Sequence, residues 1–165
     1  MSTYTVTVRP YREADWDAVS RIHDTARRDE LRGHAGADAF PPLAETYEDE
    51  GFFDGSVWVA AGGGDGDDGG EVLGFAALDD AELTWLYVDP ARYRQGIGRL
   101  LLRRALADGG GSTVRCTVLD GNDAARALYE SEGFVHVETR TGRLAGKVPF
   151  AATGHIMKWR RPGTA

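Results

Sequence analysis

The hydrophobic rhythm of the chain changes abruptly between residues 82 and 106. Leu83, Trp85, Leu86, Tyr87 and Val88 form an extended aromatic and aliphatic run, whereas Ile97, Leu100, Leu101, Ala105 and Leu106 recur at helical spacing. Pro90 closes the extended run, so the pattern predicts a strand over 82–88 and a helix over 97–108. Further strands are predicted over 3–8, stopped by Pro10, and over 56–61, 71–78, 113–119, 134–139 and 155–159. A helix is predicted from about Glu13, with Trp16, Val19, Ile22, His23 and Ala26 on one side, and Gly33 to Gly36 break its pattern. A second helix is read over 43–50 behind Pro41 and Pro42, and a last one is capped by Asn122 and stopped by Gly133. Hairpin series at both ends with crossover helices between them predict an α/β (α+β mixed) fold, a mixed sheet with helices on both faces.

Length and composition narrow this picture. The 165 residues suit one domain spanning 1–165. A net charge of -7 argues against nucleic acid or an anionic membrane as the main partner. One cysteine, Cys116, excludes an internal disulfide, no leader pattern is seen, and no apolar run reaches the roughly 18 residues of a membrane helix. A soluble cytoplasmic protein is expected. The GGGDGDDGG run at 62–70 reads as a solvated hairpin loop, since Asp65, Asp67 and Asp68 lack the spacing and the bidentate Glu of a calcium loop. His23, His34, His136 and His155 have no metal-ligand spacing, so no metal is expected.

Candidate chemistry begins at Gly96 and Gly98. Glycines there let a ligand approach the backbone, and the first amides of the following helix have no internal acceptor, which makes an anion site able to take a diphosphate. The absence of a Gly-Lys-Ser/Thr ending and of a complete G-x-G-x-x-G argues against a nucleotide-binding loop. The stretch resembles motif A of the GNAT superfamily of acyl-CoA-dependent N-acetyltransferases, Q/R-x-x-G-x-G/A, with Gly96 and Gly98 at the glycine places and Tyr93, between Arg92 and Arg94, at the first place. Asn122, Ala125, Leu128, Tyr129, Glu130, Gly133 and Phe134 are similar to motif B, N-x-x-A-x-x-L-Y-E-x-x-G-F, in the family's order.

The resemblance implies the GNAT fold, a mostly antiparallel seven-stranded sheet whose parallel fourth and fifth strands splay to admit a pantetheine arm. It implies acetyl-CoA as co-substrate, held at Arg94, Gln95, Gly96, Ile97, Gly98 and Arg99, with Asn122 touching the pantetheine or ordering the loop below it. Tyr129 is implied as the acid that protonates the leaving thiolate. Backbone amides of Leu86, Tyr87 and Val88 are implied to bind the carbonyl oxygen. Glu82, at the start of the fourth strand, is the implied general base, with Asp79, Asp80 and Glu130 as weaker candidates; strict alternation puts Glu82, Thr84 and Leu86 on one face unless a bulge intervenes. The acceptor amine is expected between 23–47 and 140–155. Acidic residues over 45–54, interleaved with aromatics including Phe40, could draw in a cation but are better read as a solvated face and a packed edge. The expected activity is direct transfer of an acetyl group to a primary amine. The alternative is a non-catalytic acyl-CoA sensor. Dimers are frequent among similar proteins, so a homodimer is compatible with the resemblance.

Overall fold

The computed structural model describes residues 5–32, 41–63, 70–109, 111–144 and 150–163. Its strands are β1 (Val6–Pro10), β2 (Ser56–Gly62), β3 (Glu71–Asp79), β4 (Glu82–Val88), β5 (Thr113–Leu119), β6 (Val135–Leu144) and β7 (Phe150–Arg160). The helices are α1 (Trp16–Glu30), α2 (Leu43–Thr46), α3 (Ile97–Asp108) and α4 (Asp123–Ser131). All strands join one sheet in the order β1-β2-β3-β4-β5-β7-β6, antiparallel throughout except for β4 and β5. This is the mixed sheet with a parallel centre that the resemblance implies.

The centre is barely paired. β4 and β5 share a single residue pair, Glu82 with Arg115, supported by the Arg115 amide donating to the Ala81 carbonyl at 2.7 Å. On their outer edges the same strands are fully laddered, β4 to β3 from Glu82 to Val88 and β5 to β7 from Thr113 to Leu119. The split is therefore a parting of two well-made half-sheets rather than fraying.

Side chains alternate across the sheet and build a core on each face. On one face α3 covers Leu73, Ala76, Val114 and Met157 with Leu101, Leu102 and Ala105, and α4 adds Tyr129. On the other, Val19 and Ile22 of α1 meet Leu43, Phe52, Val59 and Phe75. Val19, Ile22, His23 and Ala26 are buried, as their spacing predicts. α3 sits close to the sheet because Gly74 has no side chain: a Cβ there would lie 2.8 Å from the Tyr87 carbonyl and 3.1 Å from Leu101 Cδ1.

The ends of four elements differ from the sequence pattern. α2 ends at Thr46, not at Glu50, because Glu48, Asp49 and Glu50 place like charges at the negative end of a helix and Gly51 turns the chain with φ +67°. β1 runs to Pro10, which an edge strand tolerates, and residues 3 and 4 lie outside the described residues. β6 and β7 extend well past the predicted ends, and Glu138 to Gly142 are exposed, so this arm carries no apolar alternation to read. The Gly33 to Gly36 break, His34, Phe40 and the Asp65, Asp67 and Asp68 loop also lie outside the described residues.

Gly74→Ala is expected to lower unfolding stability by about 1–3 kcal/mol, because its methyl group meets backbone rather than a flexible side chain. Urea unfolding measures this, and an unchanged midpoint would show that β4 yields instead.

Candidate active site

The site grows from the loop that joins β4 to α3. Asp89 is buried, and its carboxylate accepts from the Ala91 amide at 3.0 Å and from Arg21 at 3.2 Å. That anchor turns the chain through a short 3-10 segment, Pro90–Arg92. Arg94 at φ +63° and Gly96 at φ +79° then complete a tight return into α3. A non-glycine residue in the left-handed region is uncommon and marks a shaped loop. Within α3 the first internal amide bond is Leu100 to the Gly96 carbonyl at 3.1 Å, which leaves the amides of Gly96, Ile97, Gly98 and Arg99 without an intrahelical acceptor.

The glycines suit an anionic visitor. A Cβ built on Gly96 would meet nothing within 4 Å, so the surface beside it is open, and its left-handed backbone disfavours any other residue. A Cβ on Gly98 would make only ordinary contacts, 3.4 Å to Leu128 and 3.7 Å to Val88. Protein packing thus does not itself demand a glycine at 98, and its bareness serves approach to the amides. Of the two arginines in the loop, Arg94 is exposed and has no partner among the described residues, whereas Arg99 is ion-paired with Glu132, which also holds Arg103 at 3.0 Å. Gln95 is exposed beside them. Tyr93, at the first place of the signature, donates its hydroxyl to Asp29 Oδ2 at 3.0 Å and so ties the loop to the end of α1.

The loop opens onto the gap between β4 and β5. Because the Asp89 amide donates to the Leu73 carbonyl at 2.8 Å, alternation along the antiparallel ladder turns the Tyr87 amide toward β3 as well. The Leu86 and Val88 amides point the other way, to the edge that β5 has left. Of the three amides named from sequence, two face the gap and Tyr87 does not.

A polar strap crosses this opening. Tyr87 donates to Glu30 at 3.0 Å, Glu30 is ion-paired with Arg27, and the Asn122 side-chain amide reaches Glu30 at 3.4 Å. The Asn122 oxygen meanwhile caps α4 by accepting from Ala125 at 3.3 Å. Tyr129, about two turns along that helix, is 7 % exposed and packs against Phe134 with ring centroids 5.2 Å apart. Burial first, then the proximity of Cys116, Glu30 and Tyr87, raises its phenol well above the ordinary value. A phenol so placed stays protonated and can act as a donor. Burial, reinforced by Glu82, pushes the Cys116 thiol up to about 12, which fits the core role read from sequence.

β4 carries a bulge that corrects the predicted facing of its side chains. Leu78 pairs with Leu83 and Ala77 with Trp85, so Thr84 is an extra residue. Leu83, Leu86 and Val88 consequently pack toward α3, while Trp85 and Tyr87 pack toward α1. Glu82 and Leu86 do not share a face: preceding Leu83, Glu82 turns with Thr84 toward α1. Partial burial raises the Glu82 carboxyl above its usual range, and Arg115 opposes that rise. On the same face a hollow of about 180 Å³ lies among His23, Arg27, Glu50, Thr84, Trp85 and Tyr87. Glu130 instead pairs with Arg126 at 2.9 Å, Asp79 ends β3 opposite Glu82, and Asp80 stands in the β3–β4 turn. In the acidic stretch, Phe52 is buried and Tyr47 and Phe53 pack on Trp16, giving the packed edge expected, with Glu50 alone reaching the hollow. Among the described residues no group of three His, Cys, Asp or Glu is placed to hold a metal ion.

Sequence reading missed Glu30, Arg27 and the hydroxyl of Tyr87. The only local signal was an Arg and a Glu three apart at the end of a helix, a pattern common on solvated surfaces.

A sheet parted between parallel strands, with bare helix amides at the open end, defines the GNAT structural class. Residues 53–136, about half of the chain, match the acetyltransferase (GNAT) domain family, and the chain belongs to that family. It is 40% identical over 80 residues to N-alpha-acetyltransferase RimI of Mycobacterium tuberculosis, covering 44% of this chain and 51% of the relative. Against the ribosomal protein bS18-alanine N-acetyltransferase of Escherichia coli K12 it is 42% identical over 72 residues, 39% of this chain and 49% of the relative. The chain spans about half the length of the curated relatives it matches. The crystal structure of the Escherichia coli ribosomal-protein-S18-alanine N-acetyltransferase superposes with a TM-score of 0.70 at 24% identity, over 98% of this chain and 97% of that one. The Salmonella typhimurium yncA protein, solved with its cofactor acetyl-CoA, gives 0.67 at 22% identity over 98% and 96%.

Asn122→Ala removes both the cap of α4 and the link to Glu30. It is expected to cost about 1 kcal/mol of unfolding stability, the usual value of an N-cap, measurable by urea unfolding without any ligand.

Proposed function

We propose that this protein is an acetyl-CoA-dependent N-acetyltransferase that passes the acetyl group directly to a primary amine within a ternary complex. The observation that carries this reading is the alignment of two unpaired β4 amides, from Leu86 and Val88, with the open amides at the mouth of α3. The helix mouth grips the diphosphate, with Arg94 adding positive charge, and the gap receives the pantetheine and its thioester. Leu86 and Val88 then donate to the carbonyl oxygen as negative charge gathers there. Tyr129 protonates the departing sulfur, its raised phenol suiting it to donate rather than to ionise. Glu82 takes a proton from the nitrogen. It lies on the α1 face at the apex of the split, and its raised carboxyl is a stronger base than an ordinary one.

The acceptor enters from the α1 face, where the hollow opens beside Trp85 and Tyr87. The names of two relatives, both N-acetyltransferases and one acting on an alanine of a ribosomal protein, support a peptide α-amine as the acceptor class. Among the described residues no helix is long and apolar enough to cross a membrane. We place the protein in the cytoplasm, a reducing compartment that suits its free, buried Cys116.

Calorimetry with acetyl-CoA, followed by thiol release on adding amines and peptides with free N-termini, tests the reading. Saturable binding with amine-dependent release is expected. Binding without release for any amine would mark an acyl-CoA sensor, and absence of binding would end both readings.

Tyr129→Phe is expected to lower turnover by about a hundredfold or more while acetyl-CoA affinity stays near that of the parent. Steady-state kinetics beside calorimetry separates the two, and unaltered turnover removes Tyr129 from the chemistry. For Glu82 the base form is the ionised one, so the rate should rise with pH through its raised pKa. Glu82→Gln is expected to abolish that limb of the pH profile; retention of it would assign the proton transfer elsewhere.

A further inference from the structure

The hollow on the α1 face holds a group that the scheme above does not use. His23 is 5 % exposed, and its Nδ1 lies 2.9 Å from Asp24 Oδ1. Asp24 is itself fixed, since the same oxygen accepts the Leu43 amide at 2.9 Å. The ring stands edge-on to Tyr87, with centroids 5.6 Å apart and planes at 90°. A carboxylate at Nδ1 keeps the proton on that nitrogen and leaves the Nε2 lone pair free. Nε2 has no hydrogen-bond partner among the described residues and is not sealed in the core, so it opens on the hollow that His23 lines.

We propose that His23, oriented by Asp24, is the group that strips the first proton from the acceptor ammonium in this hollow, a role that rests on the acetyl-transfer reading. The proton count requires such a group. A primary ammonium carries three N–H protons and the amide product one, so two must leave. His23 Nε2 takes one before attack and frees the nitrogen lone pair. That pair forms the C–N bond, and Glu82 takes the second proton from the nitrogen. The C–S bond breaks with its electrons on sulfur, and Tyr129 supplies the proton there. One of the two collected protons restores Tyr129 and the other is released to water.

The surroundings suit the task. His23 faces Asp24 and Arg27 from α1, Glu50 from the segment after α2, and Tyr87 from β4, behind which stands Glu30. Burial lowers its pKa and outweighs the opposing pull of Asp24 and Glu50, with Arg27 adding to the lowering, so the ring is neutral near neutral pH. Glu50 gives the hollow a negative wall that attracts the ammonium.

The test measures kcat/KM for a peptide α-amine against pH, in the parent protein, His23→Gln and Asp24→Asn. Below the α-amine pKa of about 8, His23→Gln is expected to be about a hundredfold slower. The deficit should close as pH rises and the amine arrives already deprotonated. Asp24→Asn, which keeps an oxygen for the Leu43 amide, should show the same pattern with a smaller deficit. Acetyl-CoA affinity by calorimetry should match the parent in both. A deficit equal at every pH, or none, overturns the role of His23 while acetyl transfer stands. A parent protein that acetylates no amine at any pH overturns both.

Discussion

The structure depends on hydrogen bonds that are not made. Between β4 and β5 only the pair at Glu82 and Arg115 closes, and beyond it two strand edges diverge inside a sheet that is otherwise fully laddered. Backbone amides in such a place are costly to leave unpartnered, which is why nearly all buried ones are paired. The fold tolerates the vacancy because each half-sheet is pinned independently: β3 and α3 hold β4, while β7 and its ladder hold β5. On the proposed acetyl-transfer reading the unmet donors become the means of recognition, because a ligand that supplies oxygens there would satisfy groups the protein cannot satisfy itself.

Charge around the opening is arranged to the same end. The cationic side gathers at the loop, where Arg94 projects into solvent and the start of α3 adds its dipole. The opposite face carries Glu30, Glu50 and Glu82, with Arg27 and Arg115 beside them. An anionic donor and a cationic acceptor would therefore enter by different doors. α1 takes part in both, since its last turn holds the loop through Asp29 and Tyr93 and the strap through Glu30 and Tyr87. Helix and loop cannot shift independently while these bonds stand.

What could be read from sequence follows from the range of each cause. The strand and helix on either side of Pro90 were legible because period two gives way to period 3.6 within a few residues, and the caps at Asn122 and Gly133 are local in origin. The bulge at Thr84 was not legible, as it arises from register against β3, and it overturned the expected facing of Leu86. The strap joins Glu30 to residues 57 and 92 places away, so no local window contains it. His23 looked like one more member of the buried stripe of α1, and only three-dimensional placement shows its free nitrogen on a hollow. The far part of β6 was not legible because Glu138 to Gly142 are exposed and carry no apolar alternation.

Cys116 has a consequence for the chemistry next door. It stands on β5 close to Tyr129, near where an activated acyl group would rest, and a sulfur nucleophile in that position could capture the acyl group for itself. Because only a vanishing fraction of the thiol ionises near neutrality, the exchange that would trap the enzyme as a dead thioester is suppressed. The wall thus gains a compact, polarisable filler for its core without exposing the protein to self-acylation.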